Sequence, residues 1–200
     1  MMKQKHLGFI LILIFVNVFL RTWRIPPRYY KSIAYVFFIN SCYYYLFKKK
    51  LLWDFNSAYS NTYVLRALHL FIGTPLLVLT CLAYFPKKLS KQSIYILTWT
   101  LGSTCIEYIA SKSKLIIYHN GWNIFWSCCI YFKMYTFSYL FQIKPILTWG
   151  LSAISLLFYM IRFQIPVEYR LLKGPILICL QRNIQPYTKV NRLIKKGIIT

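Results

Sequence analysis

Long apolar stretches alternate with short clusters of lysine and arginine along this chain. Each stretch approaches the roughly 20 residues that a helix needs to cross a hydrocarbon core of about 30 Å. The stretches are uniformly apolar and backbone amides must be paired in lipid, so helices are favoured over a barrel. The uncharged runs cover residues 7–20, 32–47, 67–86, 92–106, 115–132 and 145–161.

This pattern predicts an all-α fold, a polytopic transmembrane helical bundle with about six membrane-spanning helices. Five spans are also compatible with it. Residues 1–161 form the predicted transmembrane domain, and residues 162–200 form a basic cytoplasmic tail that can associate with the membrane surface. The predicted helices cover residues 7–23, 31–47, 66–85, 93–118, 122–141 and 146–161.

Two boundaries compete for the end of the fourth helix, one near Ala110 and one near Tyr118. The dipeptide Asn120-Gly121 is a strong helix stop, so we prefer the later boundary. The start of the fifth helix is also open. It begins either at Trp122, so that Lys133 lies inside it, or near residue 115, so that Lys133 marks the point where it leaves the membrane.

The composition favours a lipid environment over an aqueous one. Hydrophobic residues make up 58% of the chain and charged residues only 14%, which lies outside the averages of soluble proteins. The net charge of +22 would indicate nucleic-acid binding in a soluble chain, but here the basic residues flank apolar helices. We therefore predict anionic lipid headgroups as partners and no nucleic acid. The candidate headgroup contacts are Lys48, Lys49, Lys50, Lys87, Lys88, Lys195 and Lys196.

The distribution of positive charge predicts the orientation. With six spans both termini lie on one side, and that side holds roughly twice as many lysines and arginines as the other, as the positive-inside rule requires of cytoplasmic loops. We expect a multi-pass protein of the cell membrane with a cytoplasmic C-terminus.

Glu107 lies inside the fourth apolar run of a chain that has only three acidic residues. Positions three, four and seven apart share one face of a helix, so Glu107 falls on a polar stripe with Thr100, Ser103, Thr104 and Ser111. Ionisable groups are costly on a lipid-facing surface. The stripe is therefore predicted to face other helices or a water-filled cavity.

Two interpretations of Glu107 remain open. It is either a carboxylate that binds a proton or a cation inside the bundle, or a structural group that pairs with Lys133, Arg66 or a hydroxyl of another helix. His69 is a second candidate, because it shares a face with Arg66 and Gly73 and because intramembrane histidines relay protons or bind metals. A lone histidine bonded across helices is the more common case.

No cofactor or metal is predicted. His69, Glu107 and His119 offer suitable ligand types, but their spacing is not diagnostic of a metal site. The sequence also lacks the nucleophile elbow, the zinc-protease signature, the P-loop and the dinucleotide fingerprint. An enzyme is therefore the minority interpretation.

The segment "LHLFIGTPLLVLTCLAYFPKK", the later "IEYIA" and then "LIIYHNGWN" carry a resemblance. They resemble a family of small, uncharacterised multi-pass membrane proteins of endospore-forming Gram-positive bacteria. Three features carry this resemblance: a proline-containing helix that ends in Tyr-Phe-Pro and lysines, the mid-helix Glu107, and the turn from Tyr118 to Trp122. The resemblance covers residues 67–125. It implies an integral protein of the cytoplasmic membrane in which Glu107 is important, and it implies no reaction.

Together these patterns predict a structural or interaction component of the bacterial cytoplasmic membrane, possible partners being other membrane proteins. The alternative is a small transporter or proton-coupled channel component that uses Glu107. The third hypothesis is an intramembrane lipid-modifying enzyme. We favour the first, because transporters usually show longer chains and paired polar sites on broken helices.

Overall fold

A computed structural model describes residues 2–24, 28–47, 50–56 and 62–165. The described fold is mostly helical, as expected for the all-α class, and it contains a small two-stranded sheet that we did not predict. Lys48, Lys49, Lys195, Lys196 and the tail from residue 166 lie outside the described residues. The helices are α1 (Met2–Phe19), α2 (Arg28–Leu46), α3 (Thr62–Leu68), α4 (Thr74–Ala83), α5 (Leu89–Lys112), α6 (Ile124–Ile143) and α7 (Pro145–Arg162).

Helix α6 lies at the centre of the bundle. It packs against α2, α4, α5 and α7, while α1 packs against α4. The strands β1 (Trp53–Phe55) and β2 (Ile116–Tyr118) pair in antiparallel fashion, with Asp54 opposite Ile117. The sheet joins the α2–α3 connection to the α5–α6 connection, two segments that are distant in the sequence.

The π-helical turn His69–Gly73 joins α3 and α4 into one continuous helical segment. Its wide turn is closed by the Thr74 N–H, which donates to the carbonyl of His69 five residues earlier. Pro75 follows directly and has no N–H to donate, so an ordinary α-helical ladder cannot continue through this point.

Helix α5 ends at Lys112, and the preferred boundary at Tyr118 is wrong. The alternative near Ala110 is closer. Lys114 adopts a left-handed conformation (φ 57°), and the Leu115 N–H donates to the Ala110 carbonyl at 2.9 Å, as in a Schellman C-cap. A lysine rarely takes this conformation, which is why the sequence did not signal the stop.

Helix α6 begins at Ile124, close to Trp122, one of the two starts that the sequence left open, and not near residue 115. The Asn123 side chain caps it, accepting hydrogen bonds from the backbone N–H of Phe125 at 3.1 Å and of Trp126 at 3.3 Å. Lys133 therefore lies within α6 and not at its exit.

Two described helices are long and apolar enough to cross a membrane by length and composition, namely Tyr63–Ala83 and Pro145–Arg162. The apolar part of α1, Leu7–Phe19, is shorter. This supports membrane association for two helices, whereas the sequence pattern predicts six spans.

The burial pattern of α7 is the reverse of that expected for a helix in water. Thr148 and Ser152 are buried, whereas Ile146 is 87% exposed and Ile161 is 77% exposed. Helix α5 follows the same rule in part: Thr100 and Ser103 are buried and Ile94, Leu101 and Ile109 are exposed, although Ile96 is buried as well. Along α7, buried hydroxyl groups point inward and the most exposed aliphatic side chains point outward.

Candidate functional site

A cavity of about 190 Å³ lies next to the two-stranded sheet, and both Glu107 and His69 contribute to its wall. We call it the sheet cavity. Residues from α1, α2, α5 and α6, the π turn and both strands line it, so it is formed only when these elements assemble. Its polar and aromatic lining includes His69, Glu107, Tyr43, Tyr44, Trp53 and Trp122.

Glu107 is held by hydroxyl groups from two other elements. The Tyr118 hydroxyl of β2 donates to Glu107 Oε1 at 2.8 Å, and the Ser127 hydroxyl of α6 donates to the same oxygen at 2.5 Å. Ser127 Oγ in turn accepts from Trp122 Nε1 at 2.9 Å. Tyr131 of α6 also interacts with the carboxylate. The carboxylate therefore connects α5 to β2 and α6.

Tyr118 lies in β2, outside the helices. Burial raises the pKa of its hydroxyl above the usual value, and the nearby charge of Glu107 raises this pKa further. Tyr118 therefore keeps its proton at neutral pH and remains a hydrogen-bond donor to Glu107.

Of the remaining residues of the predicted stripe, Ser103 contacts α6, and none of the four lines the sheet cavity. Ser103 Oγ and the Tyr135 hydroxyl share a hydrogen bond of 2.5 Å, and Tyr135 is fully buried. Thr104 donates to the Thr100 carbonyl at 2.7 Å within α5. The hydroxyl of Thr100 is buried and has no hydrogen-bond partner in the described part of the chain. The stripe thus combines one cavity residue, Glu107, with packing residues.

His69 lies in the π turn and forms part of an aromatic wall. Its ring stacks on Phe55 of β1, with centroids 3.9 Å apart, and on Phe9 of α1 at 6.0 Å. The structure therefore brings His69 and Glu107 to one cavity, although they lie on different helices.

Lys133 lies at a second cavity of about 140 Å³, which Ser152, Ser155 and Tyr159 also line. We call this the lysine cavity. The Lys133 ammonium donates to Ser155 Oγ at 2.5 Å and lies 3.8 Å from the centroid of the Tyr159 ring. Both of these contacts are with residues of α7, so the Lys133 ammonium does not serve as the partner of Glu107.

Arg66, the other cation that the sequence offered to Glu107, pairs with Asp54 of β1. Arg66 Nε donates to Asp54 Oδ1 at 2.9 Å, and a second bond joins Nη2 to Oδ2. This bidentate pair holds the sheet to the last turn of α3. Asp54, Tyr118 and Ser127 were missed by the sequence analysis, because their partners are distant in sequence and no helical period relates them.

Lys50, whose predicted contact with lipid headgroups stays a prediction, lies against the end of α7. Its ammonium donates to the Phe163 carbonyl at 2.9 Å and to the Gln164 carbonyl at 3.4 Å. Carbonyls at a helix C-terminus attract cations, which accounts for this contact. Lys87 and Lys88 are exposed, and their contact with headgroups stays a prediction.

Within the described residues, no three histidine, cysteine, aspartate or glutamate side chains are grouped closely enough to hold a metal ion. The sheet cavity instead combines one carboxylate with one imidazole and several aromatic rings. Such a wall can accept a proton or a positively charged group.

No protein-family model, curated protein or solved structure matches this chain. The resemblance to the membrane proteins of endospore-forming bacteria therefore stays a prediction from the sequence.

Proposed function

We propose that this chain is a multi-pass integral protein of the bacterial cytoplasmic membrane and acts there as a structural or interaction component. The observation that carries the proposal is the reversed burial of α5 and α7. In water a helix hides its apolar face and exposes its polar one. Helix α7, and α5 over part of its length, shows the opposite pattern, as expected for helices that are surrounded by hydrocarbon.

The contacts between helices support the same proposal. Tyr35 of α2 and Ser152 of α7 share a hydrogen bond of 2.5 Å, and Ser32 of α2 donates to the Ser138 carbonyl of α6 at 2.7 Å. Small residues and interhelical hydroxyl bonds are characteristic of helix packing in membranes, where burial of apolar surface supplies no driving force.

The lengths of the helices are consistent with six spans, which is more than the two helices that are long and apolar enough by length and composition. The six helical segments, counting Thr62–Ala83 as one, have between 18 and 24 residues. At 1.5 Å per residue these correspond to about 27–36 Å, close to the hydrocarbon thickness. We therefore propose six spans with both termini cytoplasmic, following the excess of basic residues on that side.

A structural role is favoured because the Glu107 carboxylate is engaged by Tyr118 and Ser127. These contacts tie three elements together at one point. A carboxylate held by such contacts stabilises the packing of the bundle. Partner proteins would then bind the apolar exterior of the bundle.

The membrane proposal is tested by placing a lysine on the outward face of α7. Ile154 is 65% exposed and lies near the middle of the helix. Ile154→Lys should prevent α7 from inserting and so move a reporter fused after Thr200 to the opposite side of the membrane, since a charge at the centre of a span costs about 2.5–3.5 kcal/mol. Ile161→Lys is the matched control, because a lysine at the helix end can extend to the headgroups.

The measurements are alkaline extraction of membranes and reporter fusions after Thr200. The wild-type chain should resist extraction and show a cytoplasmic reporter. The proposal would be contradicted if alkaline carbonate extracted the wild-type chain from membranes. It would also be contradicted if the Ile154→Lys variant behaved like the wild type. In water an exposed substitution of this kind changes stability by only about 0.5 kcal/mol.

One observation favours the second candidate, a proton-coupled transporter or channel component. Glu107 and His69 line the same cavity and could pass a proton between them. Proteoliposomes containing the wild-type chain should then dissipate a pH gradient, and those containing Glu107→Gln should not. Equal rates in the two preparations would exclude this role for Glu107.

A further inference from the structure

We propose that the sheet cavity binds the ammonium group of a small amine or of an amine-bearing lipid. The inference names a ligand class for the membrane protein proposed above and rests on that proposal. It is carried by three features of the cavity: an acid that forms no ion pair with a lysine or arginine in the described part of the chain, a wall of aromatic rings, and a volume that fits a compact group.

The acid is Glu107. Within the described part of the chain, an ion pair joins Arg66 to Asp54, so the Asp54 carboxylate is already neutralised. Glu107 is partly buried on the cavity wall, and the hydrogen bonds that it receives from described residues come from the uncharged hydroxyls of Tyr118 and Ser127. A buried carboxylate is stabilised most effectively by a cation. The cavity next to Glu107 is the space from which a ligand can supply one.

Aromatic rings surround this space on several sides. Trp53 and Tyr43 stack with centroids 5.9 Å apart, and Trp122 is linked to Glu107 through Ser127. The faces of such rings attract cations, most strongly where water is excluded. The lining residues with aromatic rings are Phe9, Tyr43, Tyr44, Trp53, Phe55, Trp122 and Tyr131, with His69 stacked among them.

Two cationic side chains of the protein already lie over aromatic rings that line this cavity or the adjoining one. The Arg66 guanidinium lies 6.0 Å from the centroid of Tyr44, a residue that lines the sheet cavity. The Lys133 ammonium lies 3.8 Å from the centroid of Tyr159 in the adjoining lysine cavity. The surroundings are therefore suited to cations, whereas an anion would meet both the carboxylate and the negative ring faces.

The volume limits the size of the bound group. About 190 Å³ is somewhat more than the roughly 150 Å³ that holds a benzene molecule in an engineered cavity. It is less than the roughly 300–1,000 Å³ of sites for drug-sized ligands. A trimethylammonium or ethanolammonium group fits, and a lipid could place only its headgroup there.

The wild-type chain purified in maltoside detergent provides the first test. Choline is compared with 3,3-dimethylbutan-1-ol, which has the same shape without the charge, and binding is followed by tryptophan fluorescence and calorimetry. Choline should bind saturably and at least about tenfold more tightly than the neutral alcohol, as expected for one lost charge-assisted contact. Ethanolamine is measured in the same way.

A second arm distinguishes a lipid source from a soluble one. The chain is placed in nanodiscs of phosphatidylethanolamine or of phosphatidylglycerol, and retained lipid is counted by native mass spectrometry. Selective retention of phosphatidylethanolamine identifies a lipid headgroup, whereas binding of the soluble amines alone identifies a small amine. If no amine binds more tightly than its neutral or anionic counterpart, the proposal is overturned.

Variants then locate the site. Glu107→Gln should weaken amine binding by roughly 10- to 100-fold, and Trp53→Leu should weaken it less and also reduce the preference for choline over the neutral alcohol. Lys112→Gln, at an exposed residue of the same helix, should bind like the wild type. If Glu107→Gln fails to fold, the wild-type comparison of choline with its neutral analogue still decides.

The failure of this inference and the failure of the membrane proposal give different results. A chain that inserts normally but does not discriminate choline from the alcohol retains the membrane proposal alone. A chain that carbonate releases from membranes contradicts the membrane proposal, whatever it binds.

Discussion

Replacing Glu107 by leucine removes the acceptor shared by Tyr118 and Ser127. Ser127 keeps its bond from Trp122 Nε1, and its hydroxyl can turn to a carbonyl of its own helix. Tyr118 is anchored in β2 and loses its principal acceptor. A buried donor without a partner costs about 1–3 kcal/mol. Tyr118 is half-buried and also has Ser111 and Ser127 within hydrogen-bonding reach, so we expect Glu107→Leu to lower the free energy of unfolding by about 1 kcal/mol, the lower end of that range.

The assay is unfolding in mixed micelles of maltoside and dodecyl sulfate, followed by circular dichroism. Glu107→Gln is the matched control, because its amide oxygen can still accept both hydroxyl bonds, and it should stay within about 0.5 kcal/mol of the wild type. If the cost of burying a carboxylate outweighs these bonds, the leucine variant will be as stable as the wild type or more stable. That outcome would refute a packing role for Glu107.

Two further predictions concern α5 and its end. Lys114 is held at φ 57°, so Lys114→Gly should raise the free energy of unfolding by up to about 1 kcal/mol, and a lower value in the same assay would contradict the left-handed C-cap. A double-mutant cycle of Ser103→Ala and Tyr135→Phe should show a coupling of about 0.6 kcal/mol and at most about 1.7. Zero coupling would show that the two hydroxyls do not meet in the folded protein.

Hydropathy and charge placed three of the helices closely. The apolar runs and their basic borders predicted α2, α6 and α7 to within about three residues at each end, because such runs are set by local composition. The period of the stripe also predicted correctly that Ser103 and Glu107 face inward. A helical period is a local property, and it can be read without knowledge of the partner helix.

The composition of the site was decided by the tertiary structure. Strand β1 pairs with β2, so that Trp53 lies opposite Tyr118, and no local pattern encodes that pairing. The same pairing ended α5 early and brought Tyr118 to Glu107. Arg66 and Lys133, which the sequence suggested as cationic partners of Glu107, contact other residues: Arg66 pairs with Asp54, and Lys133 donates to Ser155. Composition determines which segments prefer an apolar environment, but hydrogen-bond partners are set by the distances that arise only when the helices pack.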